Sequence, residues 1–180
     1  MTERIAVVEA VMLAEDPSTF ITRHVPFLKV ELGGIPGDRH YGLLRPADSR
    51  QKFYPRGTLI ANRRQISIVS AEECLQIAKN MGLPEIKPEW LGANILISGF
   101  GELSHLEQGT RFLFPDGTGL ICEGENLPCM GPDKVIRNHY SELESRISFV
   151  AGAKKMRGIV CSVEKEGVIS YGDEMKIFIL

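Results

Sequence analysis

Gly109-Thr110-Arg111-Phe112-Leu113-Phe114-Pro115-Asp116-Gly117-Thr118-Gly119-Leu120-Ile121-Cys122-Glu123-Gly124 is the stretch that decides the architecture. Two runs flank Pro115-Asp116-Gly117, whose residues favour a turn for different reasons. Proline presets φ, aspartate bonds its own backbone, and glycine tolerates positive φ. The stretch therefore predicts a β-hairpin. Alternation in its second arm puts Leu120 and Cys122 on one face, Ile121 and Glu123 on the other. Cys122 is thus expected to be packed. Working outward, short apolar or alternating runs bounded by turn residues recur at 5–13, 25–32, 65–69, 94–98, 157–163, 168–170 and 175–179.

Helical signals are fewer. Ser70-Ala71-Glu72-Glu73 matches a capping box, and the helix it opens has Cys74, Ile77, Ala78 and Met81 on one stripe before Gly82 and Pro84 stop it. A second helix is expected over 132–147, with Pro132 and Asp133 in its first turn. Glu89 to Gly92 reads as a short bend, and His105 as a loop or core histidine. Strands outnumber helices, which predicts a mainly β fold: a small, mostly antiparallel barrel with a few peripheral helices, in one domain spanning 1–180.

Composition narrows the function. The 180 residues are 43% hydrophobic and 24% charged with a formal net charge of −2, which argues against a general nucleic-acid-binding surface. No run approaches the roughly 20 apolar residues of a membrane span, and Glu3 precedes no signal-peptide core. A cytoplasmic protein starting at Met1 is expected. The four cysteines form no C-x-x-C pair, so free thiols are expected and a structural zinc site is not.

Residues 123–133, Glu-Gly-Glu-Asn-Leu-Pro-Cys-Met-Gly-Pro-Asp, hold the candidate for chemistry. Cys129 falls just ahead of a predicted helix N-terminus, with Lys134 and Arg137 close by in sequence. Unpaired N–H groups and cations favour a thiolate, the nucleophilic and metal-binding form. The alternative is a cysteine filling a small apolar gap.

Two other stretches each leave two readings open. Gly33-Gly34-Ile35-Pro36-Gly37 leads into Asp38, Arg39 and His40, either as a polar turn or as a glycine-lined rim placing Asp38 and His40 at a pocket. Residues 45–64 carry Arg45, Arg50, Lys52, Arg56, Arg63 and Arg64 against Asp48 alone. That is either a solvated basic loop or a site for an anionic small ligand. Phe53-Tyr54 gives a nucleic-acid reader a thin basis.

Taken in order, several stretches resemble the MOSC domain, named for the C-terminal domain of molybdenum-cofactor sulfurases. They are Gly34 to Gly42, Asn62 to Ser70, Leu91 to Ile95, Leu106 to Thr110, Leu127-Pro128-Cys129, Arg157-Gly158-Ile159, Gly167-Val168-Ile169 and Gly172-Asp173. The resemblance implies a β-barrel and a functional cysteine, here Cys129, acting around molybdenum cofactor or sulfur. In relatives that reduce N-hydroxylated compounds the thiolate ligates molybdenum; in others the domain is thought to carry persulfide sulfur or recognise the pterin. Sulfurases place a pyridoxal-phosphate domain ahead of this one. No pyridoxal phosphate is expected in this chain, and a separate cysteine desulfurase or electron-donor protein would act as partner. The extra N-terminal barrel portion of the amidoxime-type reductases is expected to be missing or much reduced here.

Three functions therefore compete: a molybdenum-cofactor binder, a sulfur carrier and a non-catalytic partner-binding barrel. For the first, Cys129 is the expected metal ligand, with His40 and Asp38 tuning protonation beside it. Arg63, Arg64 and Arg56 are expected on the cofactor phosphate, and Ser70, Asn94 and Asn126 around the pterin. No nucleic acid or membrane partner is expected. No histidine sits in a recognisable cysteine-protease motif.

Overall fold

The computed structural model describes residues 2–142 and 147–179. Its strands in chain order are β1 (Thr2–Leu13), β2 (Arg23–His24), β3 (Phe27–Val30), β4 (Leu44–Pro46), β5 (Leu59–Ala61), β6 (Ile66–Ser70), β7 (Ile95–Ser98), β8 (Arg111–Leu113), β9 (Gly119–Glu125), β10 (Ile159–Lys165), β11 (Gly167–Ser170) and β12 (Glu174–Ile179). Helices are α1 (Ala71–Met81), α2 (Met130–His139) and α3 (Phe149–Gly152), with single 3₁₀ turns at Pro88–Leu91 and Leu103–His105.

Seven strands close a barrel in the order β12-β8-β9-β10-β6-β7-β1, and β1 pairs back onto β12. Closure removes the sheet edges that would otherwise template aggregation. Every barrel pairing is antiparallel except β6 with β7. A parallel pair needs a crossover connection, and here α1 and the first 3₁₀ turn supply it. The hairpin of 109–124 forms as expected: β8 pairs β9, with Leu120 and Cys122 buried.

Two cores follow from the two faces of the strands. Ile66, Ile68, Phe112, Leu120, Cys122, Cys161, Met175 and Ile177 fill the barrel. Met12, Val69, Cys74, Ile77, Met81, Trp90, Ile136 and Phe149 form a second core between the barrel wall and the helices. Burying both faces of β6 explains why its residues Ile66 to Ser70 are all buried. In β1, a register shift between Val8 and Ala10 changes which residues face inward. Val8 and Val11 enter the barrel, and Ala10 and Met12 face the helices.

The α1 signals act as read. Ser70 Oγ accepts from Glu73 N at 3.3 Å, and Gly82 closes the helix at φ 70°. The capping box is only half made, because the Glu73 carboxylate binds Ser104 N and Oγ, both at 2.8 Å. The long helix expected over 132–147 is corrected: α2 starts at Met130 and ends at His139, and α3 follows separately. Asp133 explains the fold-back by accepting from Phe149 N at 2.6 Å, drawing α3 over the first turn of α2. Residues 143–146 of the expected helix lie outside the described residues.

Candidate functional site

A cleft of about 230 Å³ opens on the outer face of the barrel wall. Ser67 of β6 and Val160 of β10 form part of its floor, since their neighbours Ile66, Ile68, Ile159 and Cys161 point into the barrel. Cys129 and Gly131 at the start of α2 make one side, and Phe20 and Leu91 line it as well. A second hollow of about 410 Å³ is lined by β4, Tyr41 and Asn62, and it shares Arg39, His40, Arg50 and Arg64 with the first. Those four residues form the mouth between them.

Cys129 is the N-cap residue of α2, extended at φ −139° and ψ 174°, and its side chain makes no capping bond. Met130 and Gly131 carry N–H groups of the first turn, whereas Pro132 has none. These N–H groups lie at the positive end of the helix dipole. Cys129 is exposed, whereas Cys74, Cys122 and Cys161 are buried. Burial pushes the Cys74 thiol up to about 12 and the Cys161 thiol well above its usual value, and it raises Cys122 too. Cys129 is the free cysteine placed to react.

Four arginines line the cleft: Arg39, Arg50, Arg64 and Arg157. Arg64 Nη2 donates to Asn126 Oδ1 at 2.8 Å, and burial with neighbouring Arg50 and Arg45 draws its pKa down to about 10. Arg45 and Arg50 share the single Asp48 carboxylate at 2.5 and 2.6 Å, so positive charge remains in excess. Arg157 is only 6% exposed and donates one bond, from Nη2 to Leu91 O. Its Nε and Nη1 are buried and have no hydrogen-bond partner among the described residues. Burial lowers its pKa to about 10, against the opposing pull of Cys129. A cation held this way is costly until an anion meets it.

Asp38 is a positioning residue whose side chain is fully buried. Its Oδ2 accepts from Ala14 N at 3.0 Å and Asn94 Nδ2 at 2.9 Å; its Oδ1 accepts from His40 N and Nδ1, both at 2.9 Å. Burial alone would raise its pKa, but those bonds outweigh it and hold the carboxyl below its usual value. The anionic acceptor assigns the proton to His40 Nδ1 and leaves Nε2 as the free ring nitrogen. His40 itself lines both hollows.

The structure thus gathers Cys129, His40, Arg64, Asn94 and Asn126 at one cleft, with Asp38 behind His40. The two asparagines are already engaged. Asn94 bonds Ser67 N, Met12 O and Asp38, and Asn126 bonds Arg64 and Ser67. They hold other groups in place. Three expected residues are not brought to the cleft. Ser70 is buried and spent on capping α1, Arg63 pairs with Glu123 at 2.9 Å, and Arg56 is exposed on the 47–58 loop. Lys134 and Arg137 are not among the lining residues either, and Arg137 pairs with Asp133 along α2. Sequence reasoning named Arg50 only within the basic run of 45–64 and gave no role to Arg39 or, above all, Arg157. An arginine beside Gly158, at the edge of a predicted strand, was the available signal.

The family whose model matches this chain is the MOSC domain. The chain belongs to that family, with the match running over residues 38–176. It is similar to YuaD of Bacillus subtilis (strain 168), whose name assigns it to metal-sulfur cluster biosynthesis, at 49% identity over 163 residues covering 90% of this chain and 85% of that one. The crystal structure of the YuaD protein from Bacillus subtilis superposes with a TM-score of 0.95 at 45% identity, covering 99% of this chain and 98% of that one. YiiM from Geobacillus stearothermophilus shares the fold at a TM-score of 0.62 and 11% identity, over 96% of this chain and 74% of that one. No helix among the described residues is long and apolar enough to cross a membrane.

Proposed function

We propose that the protein binds a molybdenum–pterin cofactor in this cleft, with the Cys129 thiolate as the ligand the chain gives to the metal. The observation that carries this reading is one exposed, uncapped thiol set against a cation-lined cleft. Thiolates suit metal–sulfur centres, and guanidinium groups suit the phosphate of a pterin cofactor. Among the described residues no group of three His, Cys, Asp or Glu side chains clusters to hold a metal ion by itself. A metal held here would therefore bring ligands of its own, with Cys129 adding one. Arg39, Arg50 and Arg64 would hold phosphate at the mouth, and the unpaired Arg157 fits an anion deeper in. When bound, the cofactor supplies two-electron redox chemistry, for which N-oxygenated compounds are the matching substrates. His40 Nε2, oriented through Asp38, would move a proton at the mouth. A separate protein would supply the electrons.

A second reading is sulfur carriage, in which Cys129 takes up persulfide sulfur from a separate desulfurase and passes it to a metal centre or apo-cofactor. It is favoured by the exposure of Cys129 and by the name of the Bacillus relative.

The deciding experiment is metal and pterin content of protein purified from cells that make the cofactor, for the natural chain and for Cys129→Ser. Molybdenum and pterin near one equivalent, lost in the variant, support cofactor binding. Absence from both proteins overturns it and leaves sulfur carriage.

A further inference from the structure

Arg157 is the feature of this cleft that the cofactor reading does not require. It enters from the segment before β10, carries two buried, unpaired donors, and forms no ion pair among the described residues. Its one bond, to Leu91 O, anchors the guanidinium at the cleft wall. The first turn of α2 contributes Gly131 to the same cleft, and the Cys129 side chain makes no capping bond to that turn. A helix start and a buried, unsatisfied cation are independent features, and both select an anion. Cys129, Arg157 and Arg64 line the same cleft, so thiol and guanidinium groups serve one site.

The geometry points to an oxyanion pocket, formed by Arg157 and the first turn of α2, that binds the sulfonate end of a thiosulfate-class donor and lets Cys129 take its sulfane sulfur. This rests on the sulfur-carriage reading for the role of Cys129 and gives it a small-molecule donor in place of a desulfurase. In the step, the Cys129 thiolate attacks the outer sulfur of the donor. A new S–S bond forms to Cys129 as the donor's S–S bond breaks, and the electron pair of the broken bond leaves with sulfite. The products are a Cys129 persulfide anion and sulfite, with no external oxidant or reductant. Arg157 would bind the oxyanion before transfer and meet the charge that gathers on it as it leaves.

The test compares two sulfane donors on the cofactor-free chain: thiosulfate, which carries the oxyanion, and a neutral organic trisulfide, which does not. Intact-mass spectrometry reads a gain of one sulfur atom from thiosulfate and, from the trisulfide, the mixed disulfide or trisulfide that thiolate attack leaves on the protein as an organic thiolate or persulfide departs. Peptide mapping locates each adduct, and released sulfite is assayed. The natural chain should load Cys129 from both donors, and Cys129→Ser from neither. Arg157→Gln should slow loading from thiosulfate roughly ten- to a hundredfold, the range expected for losing hydrogen bonds to a charged group. Loading from the trisulfide should be unchanged, which also reports that the variant is folded. Arg157→Lys should fall between. Equal loss with both donors in both variants would make Arg157 a structural group and overturn the proposal. Loading from trisulfide but never from thiosulfate would overturn it while leaving sulfur carriage standing; loading from neither would remove both.

Discussion

At the scale of single residues, what separates Cys129 from the other cysteines is solvent. The thiolate is the reactive form, and burial suppresses it at Cys74, Cys122 and Cys161. A thiol reagent applied to the native protein should label Cys129 alone within the time that the others require unfolding. Mass spectrometry of native and urea-treated samples checks this, and early labelling of a buried cysteine would contradict it. Asp38 makes the other residue-level prediction. Asp38→Ala leaves Ala14 N without its acceptor and Asn94 Nδ2 with Met12 O alone, at a cost of about 1–3 kcal/mol at neutral pH. Because the folded carboxyl sits below its usual value, its contribution is present above the unfolded-state value and lost as pH falls through the folded one. The deficit of the variant should therefore shrink as pH drops below about 4, measured by urea denaturation across pH.

At the scale of elements, the site depends on how β10 begins. Gly158 has φ +84°, and a Cβ there would lie 2.1 Å from Ile68 O. Its N–H donates to Ser104 Oγ at 2.7 Å, and its carbonyl accepts from Asn126 N at 2.9 Å. This glycine therefore sets where Arg157 leaves the strand and where the β9–α2 connection passes. Gly158→Ala should destabilise the fold by more than about 1 kcal/mol, read from the thermal or urea midpoint. A stability equal to the natural chain would mean that the close approach to Ile68 is not required.

At the scale of the whole molecule, the first and last strands close the barrel: Thr2 to Val7 of β1 pair with Glu174 to Ile179 of β12. Ends of chains often fray, but here the last strand carries Met175 and Ile177 into the central core. Ile177→Ala should thus cost about 2–5 kcal/mol despite its place near the C-terminus, as measured by chemical denaturation. A loss under about 1 kcal/mol would show that the closing strand contributes little.

Much of this was determined by the sequence alone, and the reason is range. The hairpin about Pro115-Asp116-Gly117, the capped helix after Ser70 and the αL stop at Gly82 depend on residues a few positions apart, so their signals are local. The candidate cysteine was legible for the same reason, since a chain break and a helix start around it are local features. Tertiary structure decided the rest. It divided the helix expected over 132–147, because the Asp133 carboxylate reaches Phe149 N. It sent Arg63 to Glu123 while turning Arg64, its neighbour in sequence, to Asn126 at the cleft. It also brought Arg157 and Cys129 to one cleft from different sides of α2 and α3, and left Arg157 buried with no counter-charge paired to it among the described residues. Charge and periodicity in a chain do not state which side chain loses its water, and that loss is what makes an arginine a binding group.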